Sequence, residues 1–202
     1  HSLNVRLHKS LSETFSYEEE DLSSVLHDIN PERIEVHPKP LGNNPRSQIL
    51  AGVLDADKNV AIKVARPADD KQQIAQLHNE GAILRKLENS HKSIIEFYGF
   101  CNKDQLLFVM EYKKHGNLKN AFQQGKLDQM EELDLVSICK QVADVAKYLK
   151  KKKVLHRDIS VSNCLLDSLD PPLVKVTNLS RAVQVDDDYY HAEEDERAYI
   201  PY

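Results

Sequence analysis

Hydrophobic and polar positions change their period several times along this chain of 202 residues. Between Ile34 and Arg66 the apolar residues alternate or gather in short runs. Three strands are predicted there, at Ile34-Glu35-Val36, Gln48 to Leu54 and Asn59 to Val64, with Asp55-Ala56-Asp57-Lys58 as the turn between the last two. Residues 71–88 take a helical period that puts Ile74, Leu77, Leu84 and Leu87 on one face. Two further strands are predicted around Ile94–Phe100 and Gln105–Glu111. The clearest helix covers 132–152: Leu135, Ile138, Val142, Val145 and Leu149 face inward, while Lys140, Asp144 and Lys147 face out. Short strands at Val154-Leu155, Cys164–Leu166 and Leu173–Val176 follow. Residues 1 to 30 are polar, with an acidic run Glu18-Glu19-Glu20-Asp21. Ser16 and Glu19 have capping-box spacing ahead of Leu22, Val25, Leu26 and Ile29, which predicts a short amphipathic helix ended by Pro31. Nothing repeats at a fixed period, which excludes solenoids and propellers. A β-rich first half followed by a helix-dominated second half describes a two-lobed α+β protein.

Composition narrows the class. With 41% hydrophobic and 29% charged residues the chain is in the range of soluble globular domains, not of collagen-like or disordered ones. Lys and Arg number 27 against 32 Asp and Glu, a net charge of −5, so no basic excess invites nucleic acid or an acidic membrane surface. No apolar run has bilayer length, and no signal-peptide pattern is present, so no membrane contact is expected within the segment. Cys101, Cys139 and Cys164 lack metal-ligand spacing and read as buried, reduced thiols. A start at His1 and an end in Tyr199-Ile200-Pro201-Tyr202 read as a segment of a longer protein.

The candidate chemistry gathers in three places. His156-Arg157-Asp158 is followed by Asn163, the spacing H-R-D-x-x-x-x-N of a phosphoryl-transfer loop. Alone, this leaves a real share to a polar turn with an incidental charge cluster. Val60-Ala61-Ile62-Lys63 stands upstream on a predicted strand, and Glu80 on the next predicted helix. Separately, Lys63 is a snorkelling strand lysine and Glu80 a solvated helix face. The three motifs in this order, on these elements, argue jointly against those bland readings.

The motifs resemble a protein-kinase domain, and more closely a tyrosine kinase, over about residues 33 to 202. Phe97-Tyr-Gly-Phe-Cys101, Val109-Met-Glu-Tyr112, Gly116-Asn-Leu118 and Asn163-Cys-Leu-Leu166 extend the likeness. The tyrosine-kinase leaning comes from Ser160 two residues after Asp158, from the wording Asn163-Cys164-Leu165-Leu166, and from Tyr189-Tyr190. The resemblance implies a bilobal kinase-like α+β fold: a flanking segment at 1–32, a complete small lobe at 33–111 and a partial large lobe at 112–202, from hinge through activation segment. It implies ATP as cofactor. On the resemblance, Lys63 would grip the α/β-phosphates and pair with Glu80, Arg157 and Asp158 would belong to the catalytic loop with Asp158 accepting the substrate hydroxyl proton, and Asn163 would hold a Mg²⁺. Gly42 and Ile49 border the phosphate loop, and Ala61 and Leu165 sandwich the adenine. Backbone groups at Glu111, Tyr112 and Lys113 hydrogen-bond the base, with Met110 at the back of the pocket. Tyr189 and Tyr190 are phosphorylation candidates that would pair with Arg157; a solvated acidic loop with incidental tyrosines is the equal alternative.

Three departures cut across these roles. The glycine-rich loop reads Gly42-Asn43-Asn44-Pro45-Arg46-Ser47-Gln48-Ile49, so only Gly42 survives; Asn44 and Ser47 carry side chains, Pro45 lacks a donor, and Arg46 gives back some charge. The D-F-G segment is Asn178-Leu179-Ser180 without a gap, or has lost two residues if Leu179-Ser180-Arg181 matches the family's L-S-R. Either way Asn178, a weak ligand, replaces the Mg²⁺ carboxylate. Ser160 and Ser162 stand where tyrosine kinases usually carry an Arg. The expected reading is a pseudokinase, a signalling or allosteric module for signalling proteins or another kinase domain, with Mg²⁺ weak or dispensable. An active but atypical tyrosine kinase is the alternative. The expected location is cytoplasmic, including the cytoplasmic part of a receptor.

Overall fold

A computed structural model describes residues 29–43, 47–128 and 130–185, without the side chains of Lys39 and Asn43. The helix expected ahead of Ile29, the stretch 44–46 with Arg46, and Tyr189 and Tyr190 lie outside the described residues.

Five strands form one antiparallel sheet in the order β1-β2-β3-β5-β4. They are β1 (Ile34–Asn43), β2 (Ser47–Leu54), β3 (Lys58–Ala65), β4 (Phe97–Asn102) and β5 (Leu106–Glu111). Strand β3 is central and buried on both faces, which is why its sequence is a nearly unbroken apolar run. Its two-residue period sends Val60, Ile62 and Val64 to an outer cluster with Ile34, Leu50, Leu107 and Val109. Ala61 and Ala65 belong to the main core instead, and Lys63 shares their parity. The small alanines on either side of it leave room for a long side chain. Strand β1 runs seven residues beyond the expected Val36. It contains Pro38 and Pro40, which would end a central strand, but β1 is the sheet edge and its register shifts around Pro40.

The turn between β2 and β3 places Asp55 and Ala56 at positive φ, 55° and 66°. Arg33 holds Asp55 through two bonds of 2.7 Å, and this hydrogen-bonded guanidinium lowers the carboxyl pKa.

Helix α1 (Lys71–Leu87) starts at Asp70, whose side chain accepts from Gln73 N at 3.0 Å, and stops at Glu88 in the left-handed region. Leu77, Leu84 and Leu87 are buried as their spacing predicts, while Ile74 is half-buried. Gly81 lets the helix lie directly on Phe100: a Cβ there would stand 2.5 Å from the ring. Phe97, Phe100 and Phe108 pack around that contact with centroids 4.6–5.7 Å apart.

The second lobe holds α2 (Leu118–Gln123), α3 (Glu132–Lys151) and four short strands. β6 (Val154–Leu155) pairs with β9 (Val183–Gln184), and β7 (Cys164–Leu169) with β8 (Pro172–Val176). Glu131 and Asp134 close a capping box on α3. Ile138, Val145 and Leu149 are buried and Val142 half-buried, but Leu135 is 44% exposed, against the expected inward face. Its neighbours Leu133 and Val136 are exposed too, because among the described residues nothing covers the first turn of α3. Cys139 on the same helix is exposed, a second correction; Cys101 and Cys164 are buried.

The two lobes share one hydrophobic cluster, which runs from Ala61 and Leu84 through Met110 to Val145 and Val176. Backbone bonds Ile95 N to Val176 O (2.9 Å) and Val176 N to Ser93 O (2.8 Å) stitch them. Ile94 therefore bridges to Val176 instead of opening β4, which begins three residues later than its apolar run suggests. No helix among the described residues is long and apolar enough to cross a membrane.

Candidate active site

Lys63 leaves β3 toward α1 and meets Glu80, with Nζ 2.7 Å from Oε2. Both are removed from water; Glu80 is fully buried and Lys63 is 9% exposed. A carboxylate at that depth needs every partner it can find. The second oxygen of Glu80 accepts the backbone N–H of Leu179 at 3.0 Å, so this one side chain ties β3 and α1 to the turn after β8.

The loop after β6 is held by its own first residue. His156 is buried, and its Nδ1 accepts Asp158 N at 3.2 Å while Nε2 faces Thr177 O at 3.2 Å. The carbonyl requires Nε2 to carry the proton, so the ring is the neutral tautomer, and burial lowers its pKa. Arg157 adopts φ 61° and donates through Nε to Arg181 O at 2.6 Å. Asn163 donates to Asp158 O at 2.8 Å, and its backbone carbonyl accepts Thr177 N at 2.9 Å. Asp158 is thus fixed from both sides, by His156 before it and Asn163 after it.

Asn178 joins the two halves. Its Oδ1 accepts Lys63 Nζ at 2.9 Å and Ser180 Oγ at 2.9 Å, and its Nδ2 donates to Asn163 Oδ1 at 3.1 Å. Lysine has only donors, so the amide must face it with oxygen, and the nitrogen is left for Asn163. Asn178 stands at φ 65°, a left-handed conformation that asparagine tolerates better than most residues. Leu179 and Ser180 follow in a 3₁₀ turn, Leu179–Arg181, with Leu179 buried in the main core. Lys63, Asp158 and Asn178 all line one cavity of about 330 Å³.

Residues 36–202 match the family described as protein tyrosine and serine/threonine kinase. The chain belongs to that family. It is 32% identical over 134 residues to the tyrosine-protein kinase ZAP-70 of Mus musculus and 31% identical over the same length to that of Homo sapiens. Each match covers 66% of this chain and 21% of the relative, so the shared stretch is about a fifth of those proteins.

In this tyrosine-kinase-like domain the residues expected around adenine come together as an apolar group. Ala61 and Met110 are buried and face each other across β3 and β5, and Ile49, Tyr112 and Leu165 pack on the same cluster. Gly42 is exposed, is paired with Ile49, and has open space where a Cβ would stand. The connection between the lobes holds a feature that motif reading missed. Glu111 and Lys113 form an ion pair, and Lys113 reaches Asp167 at 2.6 Å while Lys175 reaches Glu111 at 2.8 Å. Burial alone would lower the Lys113 pKa, but the hydrogen bonds it donates to Asp167 and Glu111, with their negative charge, outweigh it and raise it. The signal was faint: Lys175 is on a predicted strand, but Asp167 stands one residue past the strand predicted at Cys164–Leu166, and neither belongs to a motif.

Proposed function

We propose that this chain is a pseudokinase domain: a tyrosine-kinase-like fold whose phosphoryl transfer is impaired and whose role is allosteric or signalling. The observation that carries the reading is the saturated amide of Asn178. Kinases of this family use ATP with Mg²⁺, and a hard dication prefers carboxylate oxygens. Here Asn178 Oδ1 already accepts two donors, and Asn163 Oδ1 accepts the Asn178 nitrogen. Among the described residues the oxygen ligands gathered here do not fit Mg²⁺: two engaged neutral amides and one carboxylate, Asp158. Ser160 and Ser162 add no cation to meet a transferred phosphoryl group. Phosphoryl transfer depends on positioned charge, so these losses act together.

In this reading ATP, or another nucleotide, is held by Lys63, by Ala61 and Leu165 about the base, and by the backbone at Glu111–Lys113. The partners are signalling proteins or a second kinase domain, in a cytoplasmic setting that includes the cytoplasmic part of a receptor. An active but atypical kinase is the second reading. It is favoured by the intact Lys63–Glu80 contact and by Asp158 lining the same cavity. The deciding experiment measures γ-phosphate transfer to tyrosine peptides by the full-length protein. The pseudokinase reading expects no transfer above that of Lys63→Ala; transfer that this variant abolishes establishes the second reading.

A further inference from the structure

The cavity behind Lys63 contains a donor that none of the roles above uses. It is formed by α1, the end of β3 and the turn from Asn178 to Arg181. Gln73 and Gln76 of α1 line it, although no kinase motif includes them. Gln73 is 7% exposed, yet its amide nitrogen has no hydrogen-bond partner among the described residues. A buried donor left unpaired is costly, and an orphan of this kind calls for an explanation.

The rest of the lining is rich in donors. Lys63 has three N–H groups, of which Glu80 and Asn178 take two. Arg181 brings a guanidinium, and among the described residues Asp158 is the one carboxylate in the wall. Glu80 already balances Lys63 and Asp158 offsets Arg181, so the surplus among the described lining residues is of N–H donors, at Lys63, Gln73 and Gln76, and not of carboxylates that would hold a cation. An oxyanion would meet surplus donors. The 330 Å³ holds roughly ten waters, ample for a phosphate group.

We propose that this cavity is a metal-free oxyanion subsite that takes the terminal phosphate of a nucleotide through Lys63, Gln73 and Arg181. The proposal rests on the nucleotide reading above and deepens it: Gln73 supplies a neutral, unpaired donor from α1 in the lining it shares with Lys63. Its binding does not call on Asn163 or on the engaged carbonyl of Asn178.

The test is calorimetric titration of the full-length protein in EDTA with adenosine, ADP, ATP and inorganic tripolyphosphate. ATP is expected to bind more tightly than ADP or adenosine without metal. Gln73→Leu is expected to weaken ATP and tripolyphosphate about tenfold and to leave adenosine unchanged. Gln73→Glu, of the same shape but negatively charged, is expected to abolish the advantage of ATP over adenosine. Because Gln73→Leu removes an orphan donor, the ligand-free variant should melt at the same temperature as wild type or higher, which separates lost binding from lost fold. Tripolyphosphate binding that depends on Gln73, with no binding of adenosine, keeps the subsite and overturns the adenine reading alone. Equal ATP affinity in wild type and Gln73→Leu, or ATP binding that appears only with Mg²⁺, overturns the subsite.

Discussion

On the small-lobe side of the site, Lys63 and Glu80 form a buried ion pair 2.7 Å long; on the large-lobe side, Asn163 and Asn178 form a neutral amide clasp 3.1 Å long. The ion pair satisfies itself whether or not a ligand is present. An aspartate in place of Asn178 would face the Asn163 carbonyl oxygen with a second acceptor, and a cation between them would relieve the conflict. An asparagine resolves it with its own N–H. One amide nitrogen thus takes, in hydrogen-bonding terms, the place a metal ion would fill between two carbonyl-type oxygens.

The largest effect is expected from breaking the ion pair on one side only. Lys63→Met leaves Glu80 fully buried with one backbone donor, and the expected loss is about 3–5 kcal/mol in urea unfolding. The double variant Lys63→Met with Glu80→Leu should be milder than Lys63→Met alone. Equal or greater loss in the double variant would mean the pair contributes net stability of its own.

Changing the clasp sharpens the other half. Asn178→Asp should make thermal stability respond to Mg²⁺, where the wild type is expected to be indifferent. At a Mg²⁺ concentration ten times the dissociation constant the gain is about 1.4 kcal/mol. A wild-type protein that Mg²⁺ already stabilises as much would show that another carboxylate serves the metal. Transfer activity should recover little from this change alone, since Ser160 and Ser162 stay neutral. Adding Ser162→Arg and Asn44→Gly should produce measurable transfer, with strongly non-additive effects.

Between the halves lies His156, held neutral. Its folded pKa is below the ordinary value because of burial, so in the window between the two values the unfolded chain binds more protons. Stability is therefore complete above about pH 6.5 and declines as the pH falls below it, by at most about 1.4 kcal/mol per pH unit. His91 contributes in the same direction through its own burial. Urea midpoints at pH 7.5 and 5.5 should differ less in His156→Gln than in wild type.

The smallest effect belongs to an exposed pair. Arg33 and Asp55 have the same 2.7 Å contact as Lys63 and Glu80 but stand in water, where the attraction is screened. Asp55→Asn should shift the melting temperature only slightly, and high salt should erase the difference.

Much of this was legible in the chain because it followed period and spacing. The parity of β3 already set Lys63 with Ala61 and Ala65, and the four-residue rhythm of α1 placed Glu80 beside Leu77 and Leu84. Asn178 was readable as a lost carboxylate. Its bonds to Lys63, Ser180 and Asn163 were not, since they depend on a left-handed backbone and on residues 15 and 115 positions away. Leu135 failed for a plainer reason: period says which residues share a face, and only packing says how far along the helix that face is covered. The run of β1 through Pro38 and Pro40 to Asn43 was not legible, because sequence does not mark a strand as an edge.

The charges at the lobe connection bear on motion. Glu111 has both oxygens engaged, one by Lys113 and the other by Lys175 and by the backbone N–H of Glu96. Lys113 in turn reaches Asp167. Glu111 ends β5 in one lobe, and Asp167 and Lys175 lie on β7 and β8 in the other, so a swing of the lobes must stretch several contacts of opposite charge at once. Such a joint behaves as a stiff flexure, not a free pivot. These contacts are largely buried, so salt should soften the joint little; Lys113→Met should loosen it, and amide hydrogen exchange along Glu111–Lys113 would record that loosening directly.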